Sequence, residues 1–243
     1  MEKSLLDDKR LAALKKLSGF LHYHFRDISL LATALVHRSF RNENPHYQLG
    51  DNERFEYLGD AVLSLSASDL IYRKYPLLTE GALTKIRSAL ISETTLAQIA
   101  GDLRVGDYLL LGRGEEKSAG RNKASLLANA MEAIFAAIYL DSGFKKADNA
   151  IKFLLEPILS DAEFIQQYFD YKSALQEFCQ RVYKTKPNYE VIEQRGPEHS
   201  VTFTVRLTID GILKQTAAGK NKKDAEKKAA QNAWKIIQGK SWN

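Results

Sequence analysis

The sequence predicts an all-α domain followed by a small α+β module of order α-β-β-β-α. Three observations carry this reading. In the first two thirds of the chain, apolar residues recur at three- and four-residue steps and no β alternation occurs. In the last third, Val201, Phe203, Val205, Leu207 and Ile209 alternate with Thr202, Thr204, Arg206 and Thr208, the period of a strand with one buried face. Charge divides the chain in the same way. Residues 1–169 hold 21 Lys+Arg against 22 Asp+Glu, whereas residues 170–243 hold 14 against 8, so the whole net charge of +5 comes from the last third.

Each element follows from local signals. Leu30, Leu31, Ala34 and Leu35 mark a first helix. Phe55, Leu58, Val62, Leu65 and Leu70 mark a longer one that Pro76 ends. A helix follows Thr79-Glu80-Gly81 to about Ser92, and another runs from Glu93 to Gly101. Val105 to Leu111 reads as a connector and Gly114 to Lys123 as a polar, Gly-containing loop. Ala124 to Leu140 is a long apolar helix stopped by Asp141-Ser142-Gly143, and a last helix covers Lys145 to Ile158. Glu156 to Asp170, with Pro157 and a polar cluster, reads as a linker that overlaps the end of this helix, and the composition changes after it. Lys172 to Tyr183 is an amphipathic helix, Asn188 to Gln194 a strand, and Asp210-Gly211 the turn between the next two strands. Lys222 to Gln238 closes the chain as a helix with Ala225, Ala229, Ala233 and Ile236-Ile237 on its apolar side. The domain boundaries read as 1–158, a linker at 159–169, and 170–240.

Composition narrows the function. With 27% charged and 44% apolar residues, the chain is neither disordered nor fibrous. The longest apolar run, Ala133 to Leu140, stops well short of the roughly 18 residues a membrane span needs. Met1 to Lys16 lacks a signal-peptide core, and the single cysteine, Cys179, excludes an internal disulfide or a multi-cysteine zinc cluster. These features lead us to expect a cytoplasmic enzyme or binding protein. A basic module on a near-neutral body points to a polyanion partner, most commonly nucleic acid.

The densest chemistry lies in Asn52-Glu53-Arg54-Phe55-Glu56-Tyr57-Leu58-Gly59-Asp60. Glu53, Glu56 and Asp60 fall within an arc of roughly 60° on one helix face. Three acids so close repel one another, and no base follows Glu56 at i+4 to relieve them. Such a face is either a solvated acidic stripe or a site for a hard cation such as Mg²⁺. Gly59 within the helix sacrifices about 1 kcal/mol relative to alanine, which points to a close approach by another element. Asn129 and Glu132 share a face of the otherwise apolar helix 124–140. A lone carboxylate there is expensive to bury unpaired, so it points toward a partner. Glu80 is a further candidate, read equally well as the first-turn acid of its helix.

The block Asn52-Glu-Arg-Phe-Glu-Tyr-Leu-Gly-Asp-Ala-Val-Leu63 resembles the signature of ribonuclease III. Ala34-Leu-Val-His-Arg-Ser-Phe40, Gly114-Glu-Glu-Lys-Ser-Ala-Gly120 and Leu126-Leu-Ala-Asn-Ala-Met-Glu-Ala-Ile-Phe-Ala-Ala-Ile-Tyr-Leu-Asp141 match that family in order and spacing. The resemblance covers essentially the whole chain. It implies a Mg²⁺-dependent endonuclease of double-stranded RNA, with Mn²⁺ as a substitute. The implied products carry 5′-phosphate and 3′-hydroxyl ends, and the implied role is processing of ribosomal or messenger RNA. It also implies a homodimer through the nuclease domain, with acidic sites lining a shared valley. On this resemblance Glu56, Asp60, Glu132 and position 129 surround the metal, with Asp60 and Glu132 catalytic and Glu53 and Glu80 in the valley. Position 129 is usually aspartate in the family and is asparagine here. An amide oxygen can ligate Mg²⁺ but brings no charge. Two readings stay open, an active enzyme that needs more Mg²⁺ and a double-stranded-RNA-binding protein with a silenced metal site. Tyr57 stands where the family often has phenylalanine, an aromatic plug inserted into the partner subunit.

The C-terminal order, with Gly196-Pro-Glu-His199 and Lys222-Lys-Asp-Ala-Glu-Lys-Lys-Ala229, is similar to the double-stranded-RNA-binding domain. By that resemblance Gln176 and Glu177 address one minor groove of A-form RNA, and His199 the next. Lys222 and Lys223, with Lys220 before them, contact the phosphates between the grooves. Phe178 and Trp234 read as core.

Overall fold

The computed structural model describes residues 6–161, 164, 169–196 and 201–239. Its contacts divide the chain into two compact units, Met1–Lys74 with Ile86–Ile165, and Tyr75–Lys85 with Gln166–Asn243.

The first unit is helical, as expected. Its elements are α1 (Asp8–Phe20), α2 (Ile28–Ala34), α3 (Arg38–Glu43), α4 (Glu53–Lys74), the C-terminal part of α5 (Glu80–Leu90), α6 (Glu93–Asp102), α7 (Arg113–Lys117), α8 (Ala124–Ser142) and α9 (Phe144–Ser160). Helix α8 is apolar over most of its surface and its middle is buried. It packs against α2, α4, α6 and α9. Its length and composition would suit a membrane span, but Leu127, Ala130, Met131, Ile134, Phe135 and Ile138 instead form the centre of this unit. Gly143, at φ +78°, ends it.

Helix α4 buries Val62, Leu63, Ser66, Ala67, Leu70 and Ile71 at the three- and four-residue spacing of one helix face. The closest approach to α8 is at Gly59. A Cβ there would stand 1.8 Å from the carbonyl oxygen of Glu132. The helix-weakening glycine is thus the condition for two helix backbones to touch. On the far side of α4, Ser66 Oγ donates to Asp148 at 2.6 Å, and Lys152 Nζ reaches Asp69 and Asp148 at 2.7 Å each, tying α4 to α9.

Four readings change here. Helices α1 and α3 carry too many charges to announce themselves. The first is set by the Asp7 cap and by burial of Leu14 and Leu17, and the second by the His37 cap. Gly114 to Lys123 is no open loop but α7 followed by a short 3₁₀ turn at Gly120–Asn122. Arg121 stitches it down, donating to the carbonyls of Gly106 and Leu109 at 2.7 and 2.9 Å and pairing with Glu116 at 2.6 Å. Helix α9 runs through Pro157 to Ser160, so the proline lies within the helix and not in a linker. A proline in the last turn removes one hydrogen bond, while Leu155 and Leu159 stay buried and hold that turn. Finally, Ile236 is exposed, and Trp234 fills the core in its place.

The second unit contains α10 (Tyr171–Val182), β1 (Asn188–Arg195), β2 (Thr202–Ile209), β3 (Leu213–Gly219) and α11 (Lys222–Gly239), together with the start of α5. The three strands form one antiparallel sheet in the order β1-β2-β3, with a register shift between Val191 and Glu193. Gly211, at φ +68°, makes the β2–β3 turn. Val205, Leu207 and Ile209 bury one sheet face, as the alternation predicts, and α10 and α11 supply Leu175, Phe178, Ala229, Ala233 and Trp234. Glu226 on α11 is buried, and its carboxylate accepts from Lys172 Nζ on α10 at 2.6 Å.

A methyl group at position 59 has nowhere to go, because the obstacle is backbone. Gly59→Ala is expected to destabilise the chain by about 3 kcal/mol or more. Gly19→Ala, with open space around it, should be neutral or stabilising by up to about 1 kcal/mol. Urea unfolding followed by circular dichroism checks both.

Candidate functional site

Contact between α4 and α8 decides where the acids meet. Glu53, Glu56 and Asp60 project from the first two turns of α4, and Glu132 from the middle of α8. With Tyr57, these four line one open cleft of about 390 Å³. The sequence places the first three on one helix face, and only the Gly59 contact adds the fourth.

The start of α4 is anchored through Asn52, which is buried. Its backbone N–H donates to Val36 O at 2.9 Å, its side chain donates to Ala34 O at 3.4 Å, and its carbonyl accepts from Glu56 N at 2.8 Å. Asn52 thus ties the acidic helix to the Ala34–Phe40 block. The pattern of the signature contained this residue, but nothing in its type showed that it would be buried.

The electrostatics of the cleft are those of crowded like charges. Burial, then the charges of Asp60 and Glu56, push the Glu132 carboxyl up to about 7. Burial and the neighbouring Glu53 also raise Glu56, while a hydrogen bond from Asn129 and the charge of Arg38 hold it down. Asn129 is therefore in the site, acting on Glu56 as a neutral partner. An aspartate in its place would add a further charge to the crowd. Arg38 was not singled out from the sequence. Its Nη1 donates to Glu53 Oε1 at 3.1 Å, across an exposed pair.

The donors fit a hard divalent cation. They are carboxylate and amide oxygens, they converge from two helices, and burial together with mutual repulsion already raises two of them. Among the described residues no three His, Cys, Asp or Glu side chains stand grouped closely enough to hold a metal ion by themselves. An open arrangement suits Mg²⁺, which keeps several of its waters and takes only one or two carboxylates directly. Tyr57 is 83% exposed at the rim of the cleft. Glu80 opens α5, exposed, and accepts from Thr84 Oγ1 at 2.9 Å.

In the second unit, the predicted contact residues that are described are all on the surface. Gln176 and Glu177 lie on the exposed side of α10, opposite the buried Leu175, Phe178 and Cys179. Lys220, Lys222 and Lys223 surround the N-terminus of α11 and are exposed. That end is built by a reciprocal cap. Asn221 Oδ1 accepts from Asp224 N at 2.8 Å, and Asp224 Oδ2 accepts from Lys220 N at 3.1 Å. Gly219 lets β3 run close beneath it, since a Cβ there would meet Ala225 N at 2.3 Å. His199 lies outside the described residues.

Comparison with known proteins agrees with this geometry. Residues 27–159 match the family model described as ribonuclease-III-like, and residues 171–237 match the double-stranded RNA binding motif. The chain is 44% identical to ribonuclease 3 of Syntrophobacter fumaroxidans over 95% of its own length and 97% of that protein's. It is 42% identical to ribonuclease 3 of Treponema pallidum over 98% and 94%. Among solved structures, the nuclease domain of ribonuclease III from Campylobacter jejuni superposes with a TM-score of 0.55 at 40% identity, covering 59% of this chain and 96% of that one. Fold, cleft and basic helix end define an endoribonuclease joined to a double-stranded-RNA-binding module. The chain belongs to the ribonuclease III family.

The crowding has a measurable consequence without metal. Folded, Glu132 keeps its proton to about pH 7, whereas unfolded it releases it near the ordinary 4.5. Between those values the folded state binds more protons, so stability falls as pH rises. In buffer with chelator, the melting temperature should decline from pH 5 to 7.5. Glu132→Gln should lose much of that decline and melt higher than the parent at pH 7.5.

Proposed function

We propose that this chain is a Mg²⁺-dependent endoribonuclease that hydrolyses phosphodiester bonds in double-stranded RNA, leaving 5′-phosphate and 3′-hydroxyl ends. The observation that carries the reading is the crowding of carboxylates from α4 and α8 around one open cleft. Nothing within the cleft neutralises Glu132, and a bound divalent cation does. The role fits processing of structured ribosomal and messenger RNA in the cytoplasm.

Glu56, Asp60, Glu132 and the amide oxygen of Asn129 would hold the ion, some of them through its waters, with Mn²⁺ able to replace Mg²⁺. When bound, the ion would supply a lowered pKa for a water nucleophile and would offset charge developing on the phosphate. Asp60 and Glu132 are the residues nearest the chemistry. Glu132 holds a proton near neutral pH and must shed it to become a ligand, so metal uptake strengthens as pH rises through about 7. Asn129, by donating to Glu56, offsets part of the rise that burial and Glu53 impose on its carboxyl. Glu53 extends the acidic surface of the cleft.

The protein acts as a homodimer through the helical unit. Support comes from an exposed apolar stripe on α4, where Tyr57, Leu65 and Tyr72 are 83%, 57% and 70% exposed. At 100° per residue these fall within an arc of about 80°. Stripes of this kind mark contact surfaces. The related Campylobacter jejuni nuclease domain is described by its region involved in dimer formation. Tyr57 belongs both to the stripe and to the cleft, so a partner seated there would also border the site.

Duplex RNA is held by the basic module. Gln176 and Glu177 face one minor groove, His199 the next, and Lys220, Lys222 and Lys223 the phosphates between. The N-terminus of α11 adds its dipole to the lysines. Binding of this kind reads shape and depends on salt.

Cleavage of a long RNA duplex across a Mg²⁺ titration tests the reading, with a metal-free control. The chain should cut, Asn129→Asp should cut at lower Mg²⁺, and Glu132→Gln should lose more than about a hundredfold in rate with little change in RNA binding. The neutral Asn129 beside Glu56 favours a second reading, a binding protein that does not cut. That reading wins if the parent binds duplex without cleaving it until Asn129→Asp is introduced. Replacing Lys222 and Lys223 together by alanine should weaken duplex binding and reduce its salt dependence by up to about two counterions, measured by electrophoretic mobility shift.

A further inference from the structure

The block Ala34–Phe40 has so far only a scaffolding role. The structure uses it to aim one side chain. Leu35 to His37 run beside Leu110 in a parallel bridge, with His37 N donating to Leu110 O at 3.0 Å and Leu110 N to Leu35 O at 2.9 Å. Asn52 ties the same strip to the start of α4. The His37 ring caps α3, accepting from Ser39 N at 3.3 Å, and Ser39 Oγ in turn accepts from Gly112 N at 2.9 Å. These fixed points set the first residue of α3, Arg38, beside Glu53 at the rim of the acidic cleft.

The Arg38–Glu53 pair is a poor structural strut. The two side chains are 65% and 53% exposed, and a pair so open to water contributes little to stability. Its position is more informative. Arg38 is the cation that weighs on Glu56, beside a cleft lined by four acids and one tyrosine. A polyanionic substrate meets repulsion there from every charged group of the lining. A guanidinium matches the oxygens of a phosphate as well as those of a carboxylate, with the same two-pronged geometry.

We propose that Arg38 is a substrate-contact residue, exchanging Glu53 for a backbone phosphate of the RNA strand that enters the cleft. Glu53 then serves as the place-holder that keeps the guanidinium aimed at the rim while no RNA is bound. This rests on the nuclease reading above.

The test uses the full chain and a labelled RNA duplex, with binding measured across a salt series and cleavage in single turnover with Mg²⁺. Arg38→Ala should weaken binding about tenfold and flatten the salt dependence by about one counterion. Arg38→Lys should restore the salt dependence but only part of the affinity, because it keeps the charge and lacks the fork. Glu53→Gln breaks the same pair but removes a negative charge from the rim, so it should tighten binding. A merely structural pair would make Arg38→Ala and Glu53→Gln weaken binding together. That result, or unchanged affinity and salt dependence in Arg38→Ala, overturns the proposal. If Arg38→Ala melts early, the Arg38→Lys and Glu53→Gln pair still decides it by their opposite signs. If the parent chain neither binds nor cuts the duplex, the nuclease reading fails instead.

Discussion

No side chain fits between Gly59 and the carbonyl of Glu132, where a Cβ would come within 1.8 Å. Much of the site depends on this backbone contact. It brings α4 against α8 closely enough for acids from both helices to share one cleft. The same closeness drives Glu132 up to about 7, since burial and the charges of Asp60 and Glu56 act on it together. Helix propensity opposes a glycine at this place, and packing outweighs it. The two helices bury Val62, Leu63 and Leu70 on one side and Ile134 and Phe135 on the other, and each such side chain is worth roughly 1.5–3 kcal/mol. That exceeds the roughly 1 kcal/mol lost in helix propensity.

The strain of the cleft is thus electrostatic and concentrated at the first turns of α4. The rest of α4 is calm by comparison. Further along, Asp69 and Asp148 share Lys152, so acids there are matched by a cation of the fold itself. At the cleft the fold supplies one exposed arginine and a neutral amide, and Glu132 is left to meet its own kind. This difference between the two ends of one helix is what the proposed cation site calls for. The basic unit repeats the logic with the opposite sign. Its lysines cluster at a helix end whose dipole is also positive, and Asp224 is taken up by the cap and by Lys228 at 2.9 Å.

Much of this was legible in the residues. The spacing of Glu53, Glu56 and Asp60 fixes their common face. An apolar helix interrupted by Glu132 announces a carboxylate that needs a partner, and Gly59 announces a close approach. The alternation from Val201 to Ile209 marks the central strand, and Phe178 and Trp234 are core as read. Other features were hidden for identifiable reasons. Helices α1 and α3 depend on caps and on a few buried leucines, a weak periodic signal. The Gly114–Lys123 segment is polar, and its order comes from Arg121 reaching back to the Gly106 and Leu109 carbonyls. Pro157 signals a break, but burial of Leu155 and Leu159 on either side of it keeps the helix going.

By itself the sequence determined the helical and α-β-β-β-α halves, the acidic face of α4, the lone acid of α8 and the basic start of the last helix. These rest on periodicity and residue type, which act over a few turns of chain. Tertiary structure alone decided that the two sets of acids meet, that Asn129 donates to Glu56, and that Arg38 stands beside Glu53. Each is a contact between residues distant in the chain, and its distance is set by backbone packing. Periodicity tells which way a side chain faces on its own helix. How near two helices come, and therefore how strongly their charges interact, depends on what lies between them, and at Gly59 nothing does.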